Sequence, residues 1–386
     1  MKPSSRILVC LLAVVALSVP RVSAQWMFMK SDGDTLLQQG IQYIYNVQFD
    51  KAIAKFKEVK SLYPDHPAGY FLDAMVEWWR LNINRRTREY DAAFLQKIET
   101  VLNVCDKQLE NDPKNITGLF FKGGALGFRA RFHAVRESMI NAANDGKEAF
   151  DILMECKKIA PGNHDIMLGT GIYNYFAVAL PEKYPLLKPV MVFFPGGDKF
   201  LGILQLQAAA RKARYAYVEA EVVLFQVYYD FEKDPRKAME YAGELFRRYP
   251  DNPYFHKAYG RCAVQLGPID SMEVVWRDVL NRFFDKRFGY DNLTAREALY
   301  YIGLARMRKN DYEMALKYLY KCDEACRALD EDPSGFMIKT NLLIGQIYDL
   351  QGKRDLAVKQ YDKVLAWSDN NGSHAEAQRY RQQPYR

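Results

Sequence analysis

Apolar and polar positions follow a helical period through Leu36–Pro64, LLQQGIQYIYNVQFDKAIAKFKEVKSLYP. Gly40 and Tyr43 share one face of a first predicted helix, and Ala52, Phe56 and Val59 share one face of a second. Small residues let two helices approach closely, aromatic rings fill the space between one hairpin and the next, and Pro64 stops the second helix. The stretch therefore predicts two short antiparallel helices joined by a tight turn. One such hairpin cannot bury its own apolar face, so further copies are required.

Further copies follow along the chain. After Asp65-His66-Pro67, the stretch AGYFLDAMVEWWRLNI from Ala68 is apolar nearly all round, which predicts a helix covered on both sides. Thr87–Glu110 is its partner, ended by Asn111-Asp112-Pro113. A third hairpin opens at Asn115, carries Phe120, Gly123, Gly124 and Gly127, continues to Met139 and closes with a helix over Asp145–Ala160. Gly169 begins another first helix. It runs into Leu180–Asp198, which holds Pro185, Pro189, Pro195, Gly196 and Gly197 and reads as an insertion within one hairpin. Lys199–Arg214 is amphipathic, with Leu201, Leu204, Ala208 and Ala209 expected on the buried side. From Ala216 the period is regular again, and Lys237-Ala238-Met239 through Tyr249-Pro250-Asp251-Asn252-Pro253 repeats Lys51-Ala52-Ile53 through Tyr63-Pro64-Asp65-His66-Pro67. Three more hairpins carry Tyr259-Gly260 with Trp276, Ile302-Gly303 with Leu319, and Ile344-Gly345 with Tyr361. The count is about seven hairpins. A polar, helix-compatible stretch at Ser373–Arg381 is expected to cap the end.

The spacing resembles the tetratricopeptide repeat, Trp-x2-Leu-Gly-x2-Tyr, then Ala-x3-Phe, then Pro. Leu36 stands in the Trp slot and Gln39 in the Leu slot, while Gly40, Tyr43, Ala52, Phe56 and Pro64 match. Taken over Leu36–Trp367, the resemblance implies an all-α fold, a tetratricopeptide-type α-solenoid wound as a right-handed superhelix. It also implies a non-catalytic scaffold that binds protein or peptide partners in a concave groove lined by the first helices. Carried over by repeat position, the lining comprises Tyr254, Lys257, Arg261, Tyr300, Arg308, Lys339 and Gln346. The family's two-carboxylate clamp is matched by Lys257 and Lys339 but not by Arg261, Tyr301 and Leu343. Gly171–Gln207 also resembles a landmark of eukaryotic tetratricopeptide proteins of the inclusion-body-clearance and outer-mitochondrial-membrane type, with Phe-Pro-Gly-Gly in place of the usual Gly-Phe.

The first 24 residues read as a secretory signal peptide rather than as part of the fold. Lys2 and Arg6 make a positive start, Ile7–Val19 is an apolar run too short for ~30 Å of hydrocarbon, and Val22-Ser23-Ala24 is a small-residue cleavage site. Export to a periplasm or beyond is the expected address. Removing Lys2, Arg6 and Arg21 lowers the net charge from +7 to +4, too mild for a nucleic-acid stripe. Cys105, Cys156, Cys262, Cys322 and Cys326 remain. Their odd number forbids full intramolecular pairing, and their spacings match no metal framework, so buried free thiols are expected.

No catalytic constellation stands out. Gly196-Gly197-Asp198-Lys199-Phe200 reads as an N-cap turn led by Asp198. His66, His133, His164, His256 and His374 are scattered and read as surface or cap residues. The basic clusters at Arg85–Arg88, Arg211–Arg214 and Arg306–Lys309 read as solvated helix ends. No metal or cofactor is expected. Two other uses stay open: a peripheral membrane component touching through Leu186–Phe194, or a glycan or lipid binder using the aromatic groove. The apolar side chains of Leu180–Asp198 are expected to fold back onto neighbouring hairpins.

Overall fold

Gly40 closes the first hairpin. A Cβ there would stand 2.3 Å from the Phe56 ring, so glycine lets α1 (Ser31–Tyr45) lie directly on α2 (Phe49–Leu62). The last hairpin repeats the device: a Cβ on Gly345 of α16 (Gly335–Leu350) would meet Tyr361 of α17 (Arg354–Leu365) at 2.5 Å. In both cases the aromatic ring sits sixteen residues after the glycine, as the repeat spacing requires.

The chain is seen in a computed structural model that describes residues 29–192 and 194–386. The signal-like segment and Phe193 lie outside the described residues. Between the two hairpins above run α3 (Pro67–Ile83), α4 (Asp91–Asn111), α5 (Ile116–Val135), α6 (Met139–Ile159) and α7 (Ile166–Lys183). A 3-10 turn at Pro185–Leu187 and one helical turn, α8 (Lys188–Met191), lead to α9 (Lys199–Lys212). Then come α10 (Tyr217–Gln226), α11 (Pro235–Arg248), α12 (Pro253–Leu266), α13 (Ile269–Phe284), α14 (Asn292–Arg308) and α15 (Tyr312–Leu329). A final helix, α18 (Ser373–Gln382), packs on α17. No strand occurs among the described residues.

The fold is thus an all-α solenoid. The described residues form eight antiparallel pairs rather than about seven. The pair α10 and α11 carries no Gly-x2-Tyr signal, and α10 runs on into a π-helical turn, Val227–Phe231. The third closing helix begins at Met139 instead of Asp145, because Glu137 takes a left-handed φ of 61° and ends the turn early. Helix starts follow capping chemistry. Asn252 accepts from the Tyr254 and Phe255 amides ahead of Pro253, and Asp198 accepts from the Leu201 amide as its sequence context predicts.

Helix α9 is rotated from its expected phase. Its buried residues are Gly202, Gln205, Leu206 and Ala209, while Leu201 and Leu204 are exposed. The cause is its crossing with α7, where a Cβ on Gly202 would lie 2.6 Å from the Tyr175 amide nitrogen and 2.9 Å from the Gly171 carbonyl. Close backbone contact fixes which face of α9 points inward.

The array does not stay open. Its first hairpins fold onto the fifth and sixth. Asn252 Nδ2 donates to the Tyr45 carbonyl at 2.9 Å, Gln42 Nε2 donates to Tyr217 at 2.8 Å, and Tyr249 donates to Gln42 at 3.1 Å. Asp34 takes both the Arg214 guanidinium and the Tyr215 hydroxyl. The rings of Tyr45, Trp79, Tyr249 and Phe255 meet in one aromatic cluster. Two of the basic clusters bridge distant parts of the array: Arg214 binds Asp34, and Arg86 reaches Asp330 after the seventh pair at 3.0 Å.

The third basic cluster is also engaged. Arg306 and Lys309, together with Arg277, surround Glu273, whose side chain is buried, at 2.6–2.7 Å. Burial alone would raise the Glu273 pKa, but the three cations hold it at about 2. A folded-state pKa below the unfolded value adds stability at neutral pH and loses it as pH falls through the folded pKa. Melting temperature should therefore fall between about pH 4.5 and about pH 2 in the wild type. Glu273→Gln should start roughly 1–3 kcal/mol lower at pH 7 and show a shallower acid decline. Parallel melting curves of the two proteins across pH check this.

Candidate functional site

The predicted groove residues sit on the first helices α12, α14 and α16, and most are engaged by the chain itself. Tyr254 accepts from Gln226 Nε2 at 2.8 Å and stands edge-on to Trp79. Lys257 donates to Thr294 Oγ1 at 3.1 Å, and burial holds its ammonium below the ordinary lysine range. Arg261 makes a bidentate pair with Glu297 at 2.6 and 2.8 Å. Burial lowers the Arg261 pKa, and the Glu297 charge more than offsets this, so the guanidinium stays firmly charged. Gln346 donates to Glu376 of the capping helix at 3.3 Å. These bonds run from one first helix to a neighbouring element and set the stagger of the pairs.

The rest of the predicted set is less tied. The Tyr300 ring lies edge-on to Phe336 at 5.5 Å, and burial pushes its phenol up to about 12. Arg308 donates to the Val264 carbonyl at 3.2 Å but is itself exposed. Lys339 is exposed. With Tyr301 these residues form an aromatic and cationic strip over the last two pairs. Tyr301, Phe336 and Glu297 were not among the expected lining residues. Their signal is only that they lie on the same first helices.

A second surface stands out more strongly. Between Tyr184 and Leu204 the large side chains of Tyr184, Leu186, Val192, Phe200, Leu201 and Leu204 are exposed, Leu186 at 92% and Val192 at 79%. Leu187, Met191 and Phe194 turn inward instead. The segment therefore folds back on one side and shows apolar groups on the other, where folding back was expected for all of it. Isolated exposed apolar residues are ordinary, but a run of this size is a mark of an interaction surface.

The other candidates are structural. The five cysteines of the described residues are free and buried, and burial pushes the thiols of Cys105, Cys156 and Cys262 up to about 12. His256 is buried rather than on the surface, stacked on Phe246, and burial pushes it down to about 4. His66 accepts from the Ala68 amide at the start of α3. Among the described residues no cluster of His, Cys, Asp and Glu could hold a metal, and no helix is long and apolar enough to cross a membrane.

Residues 34–66 and 297–330 match one family model described as tetratricopeptide repeat, and residues 338–371 match another with the same description. The chain carries tetratricopeptide repeats. The three matched stretches are the first pair and the last two, in which Gly40 faces Phe56, Gly303 faces Leu319 and Gly345 faces Tyr361. Among solved structures, the chain is similar to TTC0263, a thermophilic tetratricopeptide-repeat protein of Thermus thermophilus. The identity is 14% over 60% of this chain and 99% of that one, with a TM-score of 0.36. It is similar to the APC/C hetero-tetramer Cut9–Hcn1 at 11% identity, covering 90% of this chain and 63% of that one, TM-score 0.47. Aspartyl phosphate phosphatase F of Bacillus subtilis aligns at 13% identity over 92% of this chain and 80% of that one, TM-score 0.32. No curated protein sequence matches the chain.

Proposed function

We propose that this protein is an exported, non-catalytic scaffold of the cell envelope that binds a protein partner. The repeats support the scaffold reading, since stacked hairpins present large surfaces for other chains. The signal-like first residues support export. The exposed apolar run from Tyr184 to Leu204 carries the choice of surface. Burying one such side chain contributes ~1.5–3 kcal/mol, so a partner covering several of them gains enough to bind.

A second reading keeps the concave groove as the contact, confined to the last two pairs. Exposed Arg308 and Lys339 beside Tyr300, Tyr301 and Phe336 favour it, because aromatic and cationic groups suit an extended acidic peptide. In the earlier pairs Lys257 and Arg261 are already bound to the chain.

A crosslinking pull-down from the envelope fraction separates the two. Phe200→Asp with Leu204→Asp should abolish recovery of the partner at unchanged melting temperature, while Arg308→Glu with Lys339→Glu should leave it intact. The reverse pattern moves the contact to the groove. Loss of recovery only when lipid is present assigns the apolar run to a membrane surface instead.

A further inference from the structure

A cavity of about 500 Å³ lies within the first half of the solenoid, within the range of roughly 300–1,000 Å³ typical of small-molecule sites. Its walls come from α1, α3, α5, α6, α7 and α10, and Leu187, Met191 and Phe194 complete them. Small residues open it. Gly127, Ala130 and Ala134 of α5 share one face, and Ala142, Ala143 and Gly146 of α6 line the same space. Phe120, Phe121, Phe128 and Phe176 contribute flat apolar surface.

The few polar groups in the lining are unevenly committed. Its two carboxylates are saturated by the protein. Glu219 accepts from Trp79 Nε1 at 2.8 Å and from Arg131 Nη1 at 3.2 Å, and Asp165 accepts the amides of Arg214, Tyr215 and Ala216. Two of the donors, Trp78 and Arg131, have bonding capacity left. Trp78 is 1% exposed, lines the cavity, and its indole N–H has no hydrogen-bond partner among the described residues. The Arg131 guanidinium stacks over that same indole, 4.8 Å from the ring centroid, and over Phe128 at 5.1 Å. Among the described residues its hydrogen bonding is through Nη1 to Glu219.

These features select a ligand chemistry. A peptide segment would bring an N–H and a C=O with every residue, and each needs a partner that walls of Gly, Ala, Phe, Leu and Ile do not supply. A glycan, with its hydroxyls, fails for the same reason. A plain hydrocarbon would leave the buried Trp78 N–H unsatisfied. An alkyl chain ending in a compact anion meets both demands. We propose that the cavity binds a long-chain fatty acid, its alkyl chain along the small-residue faces of α5 and α6 and its carboxylate on Arg131 and the Trp78 N–H. The site is distinct from the outward apolar run, although both use the segment after α7.

Calorimetric titration of the full chain, purified without detergent, tests this with palmitate, methyl palmitate and phosphatidylcholine vesicles as probes. Palmitate should bind saturably, and the methyl ester at least about tenfold more weakly. Arg131→Gln should weaken palmitate by about tenfold and leave the ester unchanged. Ala143→Phe, which fills the cavity without touching the polar groups, should abolish both at an unchanged melting temperature. If Arg131→Gln fails to fold, the acid-against-ester comparison in the wild type and Ala143→Phe still decide. Absence of saturable palmitate binding, equal affinity for acid and ester, or binding that survives Ala143→Phe overturns the proposal. Vesicle binding lost in Ala143→Phe without any palmitate binding also overturns it, in favour of a membrane acyl chain.

Discussion

Replacing Glu219 with Ala should lower the stability of the fold by roughly 3–5 kcal/mol, the cost of leaving a buried charge without its partner. Glu219 is buried on α10 and joins three elements that are distant in sequence. Its carboxylate takes the Trp79 N–H of α3 and Arg131 of α5, and the Tyr45 hydroxyl of α1 approaches at 3.5 Å. Burial and then the Glu219 charge push the Tyr45 phenol well above its ordinary range, so that hydroxyl stays protonated and can donate. Without the carboxylate, Arg131 and the Trp79 N–H are stranded in an apolar interior. Tyr45→Phe removes only the longest of these bonds and should cost about 1 kcal/mol or less. Urea unfolding of the two variants measures the difference. Equal, small losses would mean that the first hairpins do not close onto α10.

Gly202→Ala should be nearly as damaging, at ~3 kcal/mol, the upper end of the usual cost of overpacking. The neighbours of its missing Cβ are the Tyr175 amide and the Gly171 carbonyl, both backbone, and backbone cannot step aside as a side-chain tip can. α7 and α9 would have to separate along their whole crossing. Gly146→Ala is the matched control. Its Cβ would meet Ala130 at an ordinary 3.9 Å, and alanine gains ~1 kcal/mol of helix propensity over glycine. One glycine-to-alanine change should therefore lower the melting temperature and the other hold or raise it. Thermal melts of the two single variants give the answer.

The hairpins were legible because their cause is local. A glycine, a ring sixteen residues later and a proline at the end record how two adjacent helices touch, and Gly40 with Phe56 shows the contact directly. The closure was not legible. Asn252 meets Tyr45 across 207 residues and Arg214 meets Asp34 across 180, and neither pair leaves a periodic mark. The same limit hides the intramolecular partners of the groove residues. Arg261 reads as a groove-lining cation because its partner Glu297 sits in the next repeat, at a position whose burial depends on the stacking of whole hairpins. The phase of α9 failed for a related reason. Leu201 and Leu204 are the apolar choice by pattern, but the Gly171–Gly202 crossing puts the less apolar face inside and leaves the leucines exposed. The polar demands of the Trp78, Arg131 and Glu219 group likewise arise only once α3, α5 and α10 are brought together.

The most direct test of the functional account is site-specific photocrosslinking in the cell that makes this protein. A photoreactive phenylalanine analogue at Phe200 reports on the apolar run, and one at Lys339 reports on the groove of the last pairs. Both side chains are exposed, so neither probe disturbs the interior. The account predicts one discrete protein adduct from position 200, lost when Leu204→Asp is added, and no adduct from position 339. An adduct from position 339 with none from position 200 would contradict it.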